Sequence, residues 1–419
     1  MTPDAKFAAA LKKGLGRAMI LLRQNRNDPE FRVQLMQACK TNLVYDQQCE
    51  VSRAPYLCNL IKEIGEGRLF WDELLLAFGD AARNPHDQMQ TFRILCELAS
   101  SDPGLDRNML RRLLHSVDFD TLTRYCMDAL VKLQGIEGLE FCFRSFAAKV
   151  SDDSWAFRSL LDELVERDGE DIARAKVRDA RGRDSKLDRL MRMTEGAEQP
   201  VAKEEPVLDR AMVKERFARN EHVPYTWIQD ASDEDVEWAA DELLAATDEK
   251  LILRFLRQFF WRRDFPGPVT SLVAFARAEN ERLARAAARA ASRIRHPEVR
   301  KLAIEFMAEG KRVANGVLLL RSDWQQGDFA VIEKLLAIAS EDEFSLHDLG
   351  SSILDVLDHT PVPAAESNGA LLKLYEDGPC THCREKVVAK LVASGSVPAW
   401  MAEECRYDAV PEIAALFEA

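Results

Sequence analysis

The stretch Glu281-Arg-Leu-Ala-Arg-Ala-Ala-Ala-Arg-Ala-Ala-Ser-Arg-Ile-Arg-His-Pro-Glu-Val-Arg-Lys-Leu-Ala-Ile-Glu-Phe-Met307 decides the fold class. Leu283, Ala286, Ala287, Ala290 and Ile294 recur at spacings of three and four, the period of one helix face. The alanines keep that face thin, so a neighbouring helix can come close. Val299, Leu302, Ala303, Phe306 and Met307 repeat the pattern after a break at His296-Pro297. Proline suits a first helical position because its missing N–H costs nothing there. Glu298 then meets the positive end of the helix dipole, and Gly310 is placed to end the helix. Two short amphipathic helices in succession predict a helix pair.

The same start signal is read elsewhere. Asp28-Pro29 precedes Phe31, Leu35 and Met36; Asp102-Pro103 precedes Leu105, Met109 and Leu113; Asp408 leads to Pro411-Glu412-Ile413. A cap oxygen that satisfies orphaned N–H groups contributes roughly 1 kcal/mol. Recurrent short helices must bury their apolar faces against neighbours, which is how stacked arrays are built. The expected fold is therefore all-α, an α-α superhelix. Runs of alternating β-branched residues, the mark of strands, are not evident.

His296-Pro-Glu-Val-Arg-Lys-Leu-Ala303 resembles the helix start of the HEAT-repeat family, Asp-Pro-x-Val-Arg-x-x-Ala, with His296 where aspartate is usual. Residues 281–307 carry the match, and the other units are degenerate. The resemblance implies an α-solenoid that binds protein or nucleic acid, and it carries over no catalytic residue. HEAT-like DNA glycosylases use such a groove for base chemistry. Trp227, Asp230 and Trp238 are of the right residue types for that role, with no motif behind them.

Three regions are expected: a helical-repeat region over 1–166, a charged helix and linker over 167–206, and a HEAT-like region over 207–419. The linker candidate is Met193 to Pro206, polar with a glycine and two prolines. At 419 residues the chain exceeds one ordinary domain, and an array grows lengthwise without that limit. No apolar run approaches the roughly 20 residues of a membrane span. The nine cysteines, an odd number mostly within helical patterns, suggest reduced thiols and a cytoplasmic location.

Residues 250–312 hold fifteen Lys and Arg against six Asp and Glu, a net of +9 in a chain whose total is −13. Arg282, Arg285, Arg289 and Arg293 fall in one helical stripe. Arg254, Arg257, Arg262 and Arg263 lie earlier and Arg300 one helix later, so stacking in register would form an arginine ladder. Arginine forks match carboxylates and phosphates. Arg254, Arg257, Arg282, Arg285, Arg289, Arg293 and Arg300 are the candidate contacts for a protein partner, with nucleic acid as the alternative. Pairing with the chain's own acids is the competing reading. Overall acidity opposes approach to a polyanion.

Cys380-Thr-His-Cys383, with Cys405 downstream, forms a weak candidate metal site, since thiolates suit zinc. Redox chemistry and simple packing compete with that reading. The stretches Tyr45 to Tyr56 and Glu403 to Asp408 combine Tyr, Asp, Cys and Arg and are read as buried networks or recognition loops. Phosphate-loop, dinucleotide, zinc-protease and nucleophile-elbow motifs are not found, so a non-catalytic chain without a cofactor is expected.

Overall fold

The computed structural model describes residues 2–26, 28–79, 84–116, 121–146, 154–181, 208–219 and 221–418. Every regular element among them is helical. The linker candidate between Met193 and Pro206 lies outside these residues. The chain forms two compact units: Met1–Lys203 together with Pro398–Ala419, and Glu204–Val397. In each, a helix packs chiefly on its next and next-but-one neighbours in sequence.

Local chemistry sets most helix starts. Asp28 caps Pro29–Lys40 by accepting the Glu30 amide at 2.9 Å. His296 caps Pro297–Glu309 through Nδ1, which accepts the Glu298 amide at 3.2 Å. Gly310, with φ of 66°, ends that helix in the left-handed region. Asp102 departs from expectation. It ends the Pro85–Ser101 helix and its carboxylate accepts the Gly104 amide at 2.8 Å, a local turn. The next helix starts at Arg107 and buries Leu110 and Leu114, not Met109 and Leu113, while Leu105 is buried in the turn before it. Asp408 likewise serves a turn, accepting the Val410 amide at 3.0 Å, one step before Pro411–Ala415.

Unit 1 has a core in which Phe7 stacks on Phe31 at 4.3 Å and Trp71 is buried. The last segment closes onto its first helices, Pro3–Lys13 and Arg17–Gln24. Arg17 grips Glu404 with two bonds, at 2.5 and 3.2 Å. Ala409 donates to the Gly14 carbonyl at 3.0 Å, and Arg23 reaches the Tyr407 hydroxyl at 2.7 Å. A Cβ at Gly16 would sit 1.8 Å from the Glu404 carbonyl oxygen, so only glycine allows this approach. Tyr56 donates to the Leu15 carbonyl at 2.9 Å, and the buried pair Arg53–Glu50 lies beside Gly14. Both polar stretches singled out in the sequence thus meet at the turn around Gly14 and Gly16. Residues 398–419, expected with 207–397 in one region, instead pack in the first unit.

Unit 2 is built around the decisive stretch. On Glu281–Ala291, Leu283, Ala284, Ala286, Ala287, Ala288, Ala290 and Ala291 are all buried. The apolar surface therefore wraps most of this helix, and Val269–Ala276, Glu249–Arg254 and Val313–Leu319 close around it. Before it, Glu249–Arg254 runs into a wide π turn over Phe255–Phe259, where the Phe260 amide reaches back to the Phe255 carbonyl at 2.9 Å. Phe255 meets Phe217 and Trp238, and Phe259 meets Trp227, at centroid distances of 5.0, 6.3 and 6.2 Å. The two tryptophans considered for base chemistry are thus engaged in this aromatic core.

Candidate functional site

The seven candidate arginines divide by partner. Arg285 pairs with Asp348. Arg289 lies 3.7 Å from Asp355 and Arg293 2.6 Å from Asp264. Arg300 makes a fork to both Asp328 oxygens at 3.0 Å and donates to the Asp323 carbonyl at 2.7 Å. Arg254 donates to the Glu221 carbonyl at 3.2 Å. Side chains of Arg257 and Arg282 are exposed, and neither has an acidic partner among the described residues. The basic island is therefore partly neutralised from within. Arg312 shows the same tendency: at φ 54° it spans the Ala276 and Ala278 carbonyls and Glu281.

A groove of about 550 Å³ brings Arg257 and Arg282 together with the paired Arg285 and Arg289. Leu256, Arg257 and Trp261 form one side, and Arg282, Arg285, Ala286 and Arg289 the other. Arg257 leaves from the π turn, a feature often found at working sites. Arg282, Arg285 and Arg289 share one stripe of Glu281–Ala291, whose start is held by Asn280 accepting the Arg282 and Leu283 amides at 3.1 and 3.3 Å. Arg289 lies over the Trp261 ring at 4.3 Å, and Trp261 is 41% exposed. The buried Arg289 Nε meets no acceptor among the described residues. Burial pushes the pKa of this guanidinium down, with the Asp355 charge opposing. Beside the groove Arg262 covers Tyr225 at 4.4 Å. Chemically the groove offers fork donors on a rigid helix and one half-open aromatic face.

Comparison with protein-family models, curated proteins and solved structures returns no match to this chain.

Unit 1 carries a cleft of about 450 Å³ lined by Arg93, Glu97, Tyr125, Asp128, Lys132 and Glu163 among others. Burial and Glu166 push the Glu163 carboxyl up. Its lining mixes acids with Arg93 and Lys132.

The cysteine motif proves to be part of a three-residue cluster. Cys380 caps Thr381–Ala393, Cys383 sits in its first turn, and His347 comes from the Glu343–His359 helix. Their ligand atoms all lie within 4.8 Å of one another. The Cys380 thiol is held down to about 3, first by the hydrogen bond from Cys383 and then by His347, against the effect of burial. Cys39, Cys58, Cys96 and Cys142 behave oppositely: burial raises each thiol. Cys405, the third ligand considered from sequence, is buried in unit 1 and is not part of this cluster. His347 was missed because nothing in its local sequence distinguishes it from the six other histidines.

Proposed function

We propose that this chain is a non-catalytic binding scaffold of HEAT-like helix pairs stacked as a solenoid, which holds an acidic segment of a protein partner in the arginine groove of unit 2. The observation that carries this reading is the pair Arg257 and Arg282, exposed beside Trp261 with no acid of their own among the described residues. Arg and Trp are the residue types that dominate protein interfaces. Asp348 and Asp355, which hold Arg285 and Arg289, temper the field of the groove. A few carboxylates with an apolar side chain between them match this better than a long polyanion. No helix among the described residues is long and apolar enough to cross a membrane.

Nucleic acid is the second reading, favoured by the exposed aromatic rings of Trp261 and Tyr225 next to arginines, an arrangement suited to base stacking. One experiment separates the two. A glutamate-rich peptide with one central aromatic residue and a single-stranded oligonucleotide are titrated in parallel against the full chain. Peptide binding that falls at least tenfold in Arg257→Glu/Arg282→Glu, with a shallow salt dependence, supports the scaffold reading. Oligonucleotide binding with a steep salt slope and no peptide binding transfers the groove to nucleic acid. Binding of neither removes the groove as a contact surface.

A further inference from the structure

We propose that His347, Cys380 and Cys383 form a zinc site with one open coordination position. Three metal-ligating side chains from two separate helices converge in unit 2, with ligand atoms within 4.8 Å of one another. Zinc–sulfur and zinc–nitrogen bonds of about 2.3 and 2.0 Å place tetrahedral ligands roughly 3.3–3.8 Å apart. Closing the gap asks for about an ångström of side-chain adjustment and leaves the helices where they are. The frame around the cluster is closely packed. A Cβ on Gly350, one turn beyond His347, would lie 2.9 Å from Leu374 Cδ2, so the His347 helix packs closely on Ala364–Asp377, the helix that leads into Cys380. A Cβ on Gly378 would lie 2.4 Å from the Leu374 carbonyl oxygen, which keeps the turn into Cys380 tight.

Charge balance favours a divalent ion. Two thiolates cancel the charge of Zn²⁺ and the imidazole adds none, so the filled site carries no net charge into surroundings supplied by Leu346, Leu354, Leu374 and Val387. Sulfur with imidazole nitrogen is a donor set that suits zinc and disfavours magnesium or calcium. Next to the three ligands lies a cavity of about 10 Å³, close to the minimum that a single water fills. That cavity supplies the fourth position, to be taken by a water. Cys405 has no part in the site.

The test uses the full-length chain. Purified in the presence of zinc and dialysed, it is expected to retain one zinc per chain by elemental analysis. The Cys405→Ser variant should retain the same. Replacing zinc with cobalt(II) should give sulfur-to-metal charge-transfer absorption together with the visible bands of a tetrahedral site. His347→Gln should weaken cobalt binding at least tenfold, and Cys380→Ser should remove the charge-transfer band. The wild-type cobalt spectrum decides even if a variant fails to fold. Absence of that spectrum overturns the proposal, as does full metal retention in folded His347→Gln. A Cys380–Cys383 disulfide in freshly isolated protein also overturns it and assigns the pair to redox chemistry.

Discussion

Arg300 separates the two roles that arginines play in unit 2. Its guanidinium makes three bonds, two at 3.0 Å to the Asp328 carboxylate and one at 2.7 Å to the Asp323 carbonyl. The side chains are 19% and 9% exposed, so solvent screens the pair only in part. Arg300→Met keeps the stem and removes the charge. It leaves Asp328 with the Gln325 amide, 2.8 Å away, as its remaining donor. Breaking a fully buried pair costs about 3–5 kcal/mol, and the residual exposure here places the loss near 3 kcal/mol. For a unit of this size each kcal/mol moves the melting temperature by roughly 2–4 °C, so a drop of about 6–12 °C is expected. Thermal unfolding by calorimetry reads it. Adding Asp328→Asn removes the stranded charge, so the double variant should lose about 1–2 kcal/mol less than the sum of the two single losses. A shift under about 2 °C, or strict additivity, would refute the reasoning. Lost groove binding at an unchanged melting temperature would do so too, because Arg300 would then be a contact.

Further outcomes follow from other residues. Gly16→Ala forces a carbon against the Glu404 carbonyl and should cost about 1–3 kcal/mol, loosening residues 398–419. Amide exchange at Ala409 checks this, and unchanged protection there would contradict the close approach. Asp235 closes a capping box with Ser232, whose hydroxyl hydrogen bond, followed by Arg210, lowers its carboxyl below the ordinary range. Its contribution to stability is thus full above the usual aspartate pKa of about 4 and is lost as pH falls through the lowered value. Asp235→Asn should flatten that acid limb of the stability curve, and an identical limb in the variant would count against the cap. Trp261→Ala should leave the melting temperature within about 2 °C while weakening acidic-peptide binding at least tenfold, since the ring is 41% exposed and covers Arg289. A large loss of stability instead would make Trp261 a core residue.

The helical class was legible because its signals are local. The spacing within Glu281–Ala291 and the capping at Asp28 and His296 act over four residues. Asp102 misled because an aspartate two residues before an N–H serves a turn as readily as a helix start. The arginine stripe was legible as a stripe, but its fate was not. Asp348 lies 63 positions beyond Arg285, and Asp328 lies 28 beyond Arg300. No periodicity reports which acid arrives from such a distance. His347 escaped for the same reason, and so did the return of residues 398–419 to Gly14 and Gly16.

That return has a consequence for the order of events on the ribosome. The segment that supplies Glu404 and Ala409 is made only after all of Glu204–Val397. Glu404 follows Gln24 by 380 positions, so at synthesis rates of about 5–20 residues per second the first helices wait on the order of 20–75 s for it. During that interval the backbone around Gly14 and Gly16 lies open, while unit 2 emerges whole and is free to fold. Late closure makes the nascent first unit the vulnerable partner, the place where a chaperone would matter most.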